Sequence, residues 1–249
     1  MIETPAFWAV AVVAVVLLGL AKGGFSGMGA LSLPMVAMTV SPVRAAAVLL
    51  PILIVQDIVG VWAFRRDWDG QVLGWMLPGA FVGIALGYLF AASVSTDAVL
   101  GLVGAISILF GAYRLWVERN GAPTGAGGSP GWVGTLFGVA SGFTSQIAHA
   151  GQPPYQLWVL PRRLPRDVLV GTTAIFFAVV NWVKVPAYLA LGQFTRANLT
   201  VAALLLPVAI ASTTAGVWLV RRVPAERFYR AIYVLMIVVG TKLVWDAVA

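Results

Sequence analysis

Two polar clusters interrupt an otherwise apolar chain. The first is Lys22-Gly23-Gly24-Phe25-Ser26-Gly27-Met28-Gly29-Ala30, leading into Leu31-Ser32-Leu33-Pro34. The second is Ser141-Gly142-Phe143-Thr144-Ser145-Gln146, running on through His149, Gly151, Gln152, Pro153 and Pro154. A lysine, hydroxyls, carboxamides and glycines that leave backbone N–H groups accessible suit the binding of an anion. The residues expected to touch it are Lys22, Gly24, Ser26, Gly27 and Gly29 from the first cluster, and Thr144, Ser145, Gln146, His149 and Gln152 from the second. Helix N-termini starting near Met28 and Pro154 would add free N–H groups and a partial positive charge.

Each residue also has a plainer reading. Glycines in apolar helices serve close packing, which accounts for Gly79, Gly83, Gly87, Gly101 and Gly104. Lys22 either anchors an anion or snorkels to an interface. His149, the one histidine, either bonds the anion and carries a proton or is a satisfied structural group. Gln56, Asp57, Asn181 and Lys184 lie inside two long apolar runs, as coupling groups, proton carriers or supports of the site. An Asp57–Lys184 ion pair is the structural alternative for two of them.

The elements that must position these residues are membrane helices. The chain of 249 residues is 60% hydrophobic and 10% charged, with a mean hydropathy of +0.93. Soluble domains carry about 25% charged residues. Apolar runs of about 20 residues recur, so the fold class is all-α and polytopic rather than a β-barrel. The net charge of +7 comes from arginines in short loops, which set topology, and does not mark a nucleic-acid binder. The absence of cysteine excludes disulfides and thiolate chemistry, and one histidine excludes a multi-histidine metal site. No nucleophile–base pair stands out; neither an enzyme nor a cofactor is expected. The N-terminus lacks the basic region of a cleavable signal, so the first run is expected to be retained.

The runs fall into two similar halves, 1–119 and 132–249, joined by a Gly-, Ala-, Pro- and Ser-rich linker at 120–131 expected to be flexible. Gly24-Phe25-Ser26 answers Gly142-Phe143-Thr144, and Leu77-Pro78 answers Leu206-Pro207. Gly87, Gly111 and Trp116 answer Gly216, Gly240 and Trp245 without a gap. Each half reads as a hairpin broken at its polar cluster plus three long spans. The short pieces 28–40 and 132–140 suit re-entrant arms, with two tilted full spans as the alternative. Either way the spans per half are odd, so the second half is inverted. Inversion gathers Arg65, Arg66, Arg114, Arg119, Arg162, Arg163, Arg166, Arg221, Arg222, Arg227 and Arg230 on one side. Glu3, Arg44, Asp97, Arg196 and Asp246 fall on the other, which places both termini outside the cytoplasm.

The pattern resembles the TauE/SafE family of sulfite and organosulfonate exporters. The resemblance rests on the Gly-Gly-Phe-Ser-Gly-Met-Gly…Leu-Pro segment at 23–34, the Ser-Gly-Phe-Thr-Ser segment at 141–145, and the duplicated layout. It implies a secondary transporter of the inner membrane, moving small sulfur-containing anions outward. Its partners would be that anion and membrane lipids, with a homo-oligomer left open. An anion channel on the same architecture is the alternative. The stretch from Gln146 to Pro154 is more polar than the glycine-rich family form, and substrate choice is expected to be decided there.

Overall fold

The computed structural model describes residues 4–25, 28–93, 95–121, 129–220, 222 and 226–248; at residue 92 and residues 226–232 it describes the backbone alone. The helices of the first half are α1 (Pro5–Lys22), α2 (Ser32–Ala37), α3 (Pro42–Phe64), α4 (Gly70–Ser93) and α5 (Thr96–Asn120). Those of the second are α6 (Gly131–Ala148), α7 (Gln152–Val159), α8 (Arg166–Ala190), α9 (Arg196–Val220) and α10 (Glu226–Val248). A 3-10 turn, Met28–Leu31, leads into α2. The all-α expectation holds. Among the described residues, six helices are long and apolar enough to cross a membrane: α1, α3, α4, α5, α8 and α9. The protein is a multi-pass membrane protein.

Helix starts follow local chemistry. Thr4 accepts from the Phe7 N–H ahead of Pro5, Ser41 accepts from the Arg44 N–H ahead of Pro42, and Ser95 accepts from the Ala98 N–H. Each oxygen satisfies an N–H that the helix cannot.

The packing is built on small residues. A Cβ added at Gly79 or Gly83 of α4 would stand 2.0 Å from the carbonyl oxygen of Thr135 or Val139 in α6. Added at Gly138 or Gly142 of α6, it would stand 2.2 or 2.1 Å from the Met76 or Ala80 oxygen in α4. The two backbones touch, which only glycine on both surfaces permits. Gly87 meets Gln146 of α6, and Gly104 and Gly240 hold α5 and α10 together in the same way. Gly101 meets the Ala247 side chain at an ordinary contact distance. The pairings repeat when the halves are exchanged: α4 lies along α6 as α9 lies along α1, while α3 pairs with α8 and α5 with α10.

Two sequence expectations need correction. The 132–140 piece is not short, because α6 continues helically to Ala148 and its 18 residues reach about 27 Å. Residues Ser141 to Gln146 therefore do not unwind. Thr144 folds its hydroxyl back onto the Ala140 carbonyl at 2.8 Å, and Gly142 presses against the backbone of α4. Packing on a neighbouring helix outweighs the local weakness of Ser, Gly and Thr. The first arm, α1, is also of spanning length. The linker lies largely outside the described residues.

Candidate anion site

The first break begins where α1 ends. Gly23 caps the helix, its N–H donating to the Gly19 carbonyl at 2.9 Å. A Cβ on Gly23 would stand 2.4 Å from the backbone of Gly216 in α9. Gly24 has φ +124, a conformation that glycine adopts without penalty, and abuts Val220. This turn leaves Lys22 as the last residue of α1, at the negative end of the helix dipole. Ser26 and Gly27 lie outside the described residues.

The second break is narrower, at residues 149–151. His149 closes α6 in the left-handed conformation (φ 48, ψ 23), with its N–H on the Ser145 carbonyl and that of Ala150 on the Thr144 carbonyl. This is a helix stop that glycine usually makes. His149 is held there by its ring: Nε2 lies 3.0 Å from the Ala46 carbonyl and Nδ1 lies 2.9 Å from Lys184 Nζ. A carbonyl oxygen only accepts, so Nε2–H donates to Ala46 and Nδ1 accepts from the Lys184 amino group. The imidazole is then neutral, with its proton on Nε2. The Ser141 hydroxyl donates to the Gly151 carbonyl at 2.6 Å and ties the turn to α6. Pro153 and Pro154 remove two N–H groups from the first turn of α7, so side chains rather than backbone carry most of the donors here.

The breaks meet at one cavity, which encloses roughly 610 Å³ counting the space that opens outward. Lys22, Gly24, Gly29, Ser145, His149 and Gln152 line it, together with Thr173, Phe177, Asn181 and Lys184 of α8. Lys22 Nζ lies 2.5 Å from Asp57 Oδ1, and Asn181 Nδ2 donates to Asp57 Oδ2 at 2.6 Å. Lys22 also sits 5.3 Å from the centre of the Phe177 ring. Lys184, fully buried, donates to Ser145 O at 3.3 Å, Ser145 Oγ at 3.2 Å and His149 Nδ1. Lys22 thus faces a carboxylate, while Lys184 meets only neutral acceptors. Among the described residues no group of histidine, cysteine or carboxylate side chains is placed to hold a metal.

The family model for the sulfite exporter TauE/SafE matches residues 11–243. The chain belongs to the TauE/SafE sulfite exporter family. No curated protein and no solved structure matches it. Membership makes the chain a sulfite exporter-type membrane transporter and not an enzyme.

Within this TauE/SafE chain the sequence-predicted residues divide. Lys22, Gly24, Gly29, Ser145, His149 and Gln152 come together on the cavity, and Asn181 and Lys184 join them. Asp57 stands behind Lys22, and the expected Asp57–Lys184 alternative is replaced by the Lys22–Asp57 pair. Gln56 turns away, donating to the Val15 carbonyl at 3.2 Å. Thr144 spends its hydroxyl on its own helix. Gln146 lines a separate cavity, because α6 stays helical and carries it to another face. Sequence reasoning missed Thr173 and Phe177. The signal was present, since 173, 177, 181 and 184 follow the spacing of one helical face.

Proposed function

We propose that the protein exports small sulfur-containing anions, sulfite or organosulfonates such as sulfoacetate, by alternating access around the Lys22–Lys184 cavity. One observation carries this reading: a lysine from each half lines the same cavity, and the carboxylate there neutralises only one of them. A sulfonate group or hydrogen sulfite presents one negative charge spread over three oxygens. It matches the Lys22 ammonium and the N–H and O–H groups around the cavity. Lys22 donates to Asp57 alone among the described residues, so its remaining protons can turn to an incoming anion.

The rest follows from the repeat. Two halves, 1–119 and 132–249, are inverted about the membrane plane, and one rocks against the other around the central site. The basic loops face the cytoplasm of a cell with this protein in its inner membrane, and both termini lie outside.

The test uses purified protein and proteoliposomes. Sulfite or sulfoacetate should raise the melting temperature, and labelled anion should move with saturation and counterflow. Ohmic single-channel currents would instead establish a channel. No stabilisation and no flux with sulfite, sulfoacetate, taurine or thiosulfate would sink the reading.

A further inference from the structure

A second cavity, of roughly 340 Å³ counting the space that opens outward, is walled by Ala46 and Tyr188, both of which contact His149 of the first. Its polar lining is Gln146, Tyr188 and Gln193, among apolar residues that include Ala46 and Val99. The two cavities follow one another along α8. The first reaches Val170, one turn from the basic end at Arg166; the second reaches Leu191 and Gln193, just past the other end. Between them stands a thin polar partition. His149 faces Lys184 on one side and donates to the Ala46 carbonyl on the other. Tyr188 stacks on the imidazole at 6.2 Å, and its hydroxyl donates to the Gln146 carbonyl at 3.2 Å.

Gln146 supplies an independent sign of a ligand. Its side chain is only 3% exposed, and its Oε1 position has no hydrogen-bond partner. A buried carboxamide end left unpaired is costly and uncommon. Half a turn about the terminal bond exchanges oxygen for NH2, so the unpaired end can donate as well as accept. The residues lining this cavity carry no charge. Beyond it, Arg44 Nε donates to Asn198 Oδ1 at 3.3 Å, and Asn198 Nδ2 donates to the Gln193 carbonyl at 2.9 Å, which brings a cation close to its outer end.

We infer that the second cavity is a second subsite for the transported anion, and that the His149–Tyr188 partition is the closed gate between it and the central site. The inference deepens the transport reading above and rests on it. When His149 releases the Ala46 carbonyl, the anion leaves the two lysines and is received by the Gln146 amide. With no cation in its lining, the subsite holds the anion weakly and releases it toward Arg44.

The chain has no cysteine, so single introduced thiols report without background. Val99→Cys, with Ala46→Cys as a second reporter, marks the second cavity, and Thr173→Cys marks the first. Full-length protein in oriented proteoliposomes is treated with a membrane-impermeant methanethiosulfonate bearing a sulfonate. The two cavities should label from opposite faces, and adding Tyr188→Ala should open the second to reagent from both faces. Labelling of both cavities from one face, or of both second-cavity reporters from neither, overturns the gate. In the flux arm, Gln146→Leu should slow sulfite efflux roughly tenfold while equilibrium sulfite binding stays within about twofold. Unchanged flux, or binding lost as in Lys22→Met, overturns the subsite. If the unmodified protein neither binds nor moves sulfite, the transport reading falls and the subsite with it, while the labelling result still decides the partition.

Discussion

The two breaks solve the same problem differently. In each, a helix ends inside the protein and exposes its negative end to a cavity. At the first break the compensating lysine is the last residue of that helix, Lys22. At the second it comes from another helix, with Lys184 of α8 reaching Ser145 near the end of α6. The first stop is made with Gly23 and Gly24; the second puts His149 in a left-handed position, held by bonds from its ring. The difference separates two roles. Lys184 has an acceptor for each of its three protons, so this lysine holds the closed turn at His149. Lys22 has one hydrogen-bond partner among the described residues and is the lysine that the proposed function makes responsive. The more polar break, where the sequence led us to expect substrate choice, has most of its polar groups bonded to one another.

The largest expected effect tests the responsive side. Lys22→Met leaves the buried Asp57 carboxylate without its cation and should destabilise the protein by about 3–5 kcal/mol. Lys22→Met with Asp57→Asn should recover most of that stability in thermal unfolding but not sulfite binding. If the double variant binds normally, Lys22 serves only the fold.

Lys184→Met should cost less, about 1–3 kcal/mol, since it leaves neutral acceptors rather than a charge unpaired. A cost above that of Lys22→Met would reverse the assignment of the two breaks. The stops themselves come next. Gly24→Ala forces a side chain into φ +124 against Val220 and should cost about 1–3 kcal/mol. His149→Asn keeps a residue that tolerates the left-handed region but loses both ring hydrogen bonds, so its cost should be about 2 kcal/mol. A His149→Ala loss of melting temperature no larger than that of His149→Asn would mean that the ring bonds of His149, not its backbone, close α6.

The smallest effect is expected at Thr144. Its hydroxyl bonds back to its own helix, so Thr144→Ala should change stability by no more than about 0.5 kcal/mol and leave efflux intact. A marked loss of efflux would return Thr144 to the site and extend the second break back into α6.

Much of this was legible in order along the chain. The long apolar runs are α3, α4, α5, α8, α9 and α10 to within a few residues, because length and hydropathy are local properties. The first break was legible because Gly23-Gly24 is a backbone signal that neighbours cannot disguise. The second was drawn too wide. Ser141, Gly142 and Thr144 are poor helix residues in isolation, and nothing nearby in sequence reveals that α4 lies against them. The same error carried Gln146 into the central site, since a residue in an unwound loop can point anywhere while one on a helix cannot.

Composition alone established a membrane protein, and the length of its apolar runs established that it is all-helical. Those conclusions rest on the cost of exposing charge or bare backbone to lipid, which every segment meets independently. The identity of partners was decided only by the fold. Asp57 could pair with either lysine by position in sequence; it pairs with Lys22 because α1 ends beside α3 and Asn181 of α8 completes the carboxylate. Lys184, some forty residues from Ser145, reaches it because α8 passes the end of α6. Such pairings depend on which helices touch and at what rotation, and that is settled by glycine-lined contacts between segments far apart in the chain.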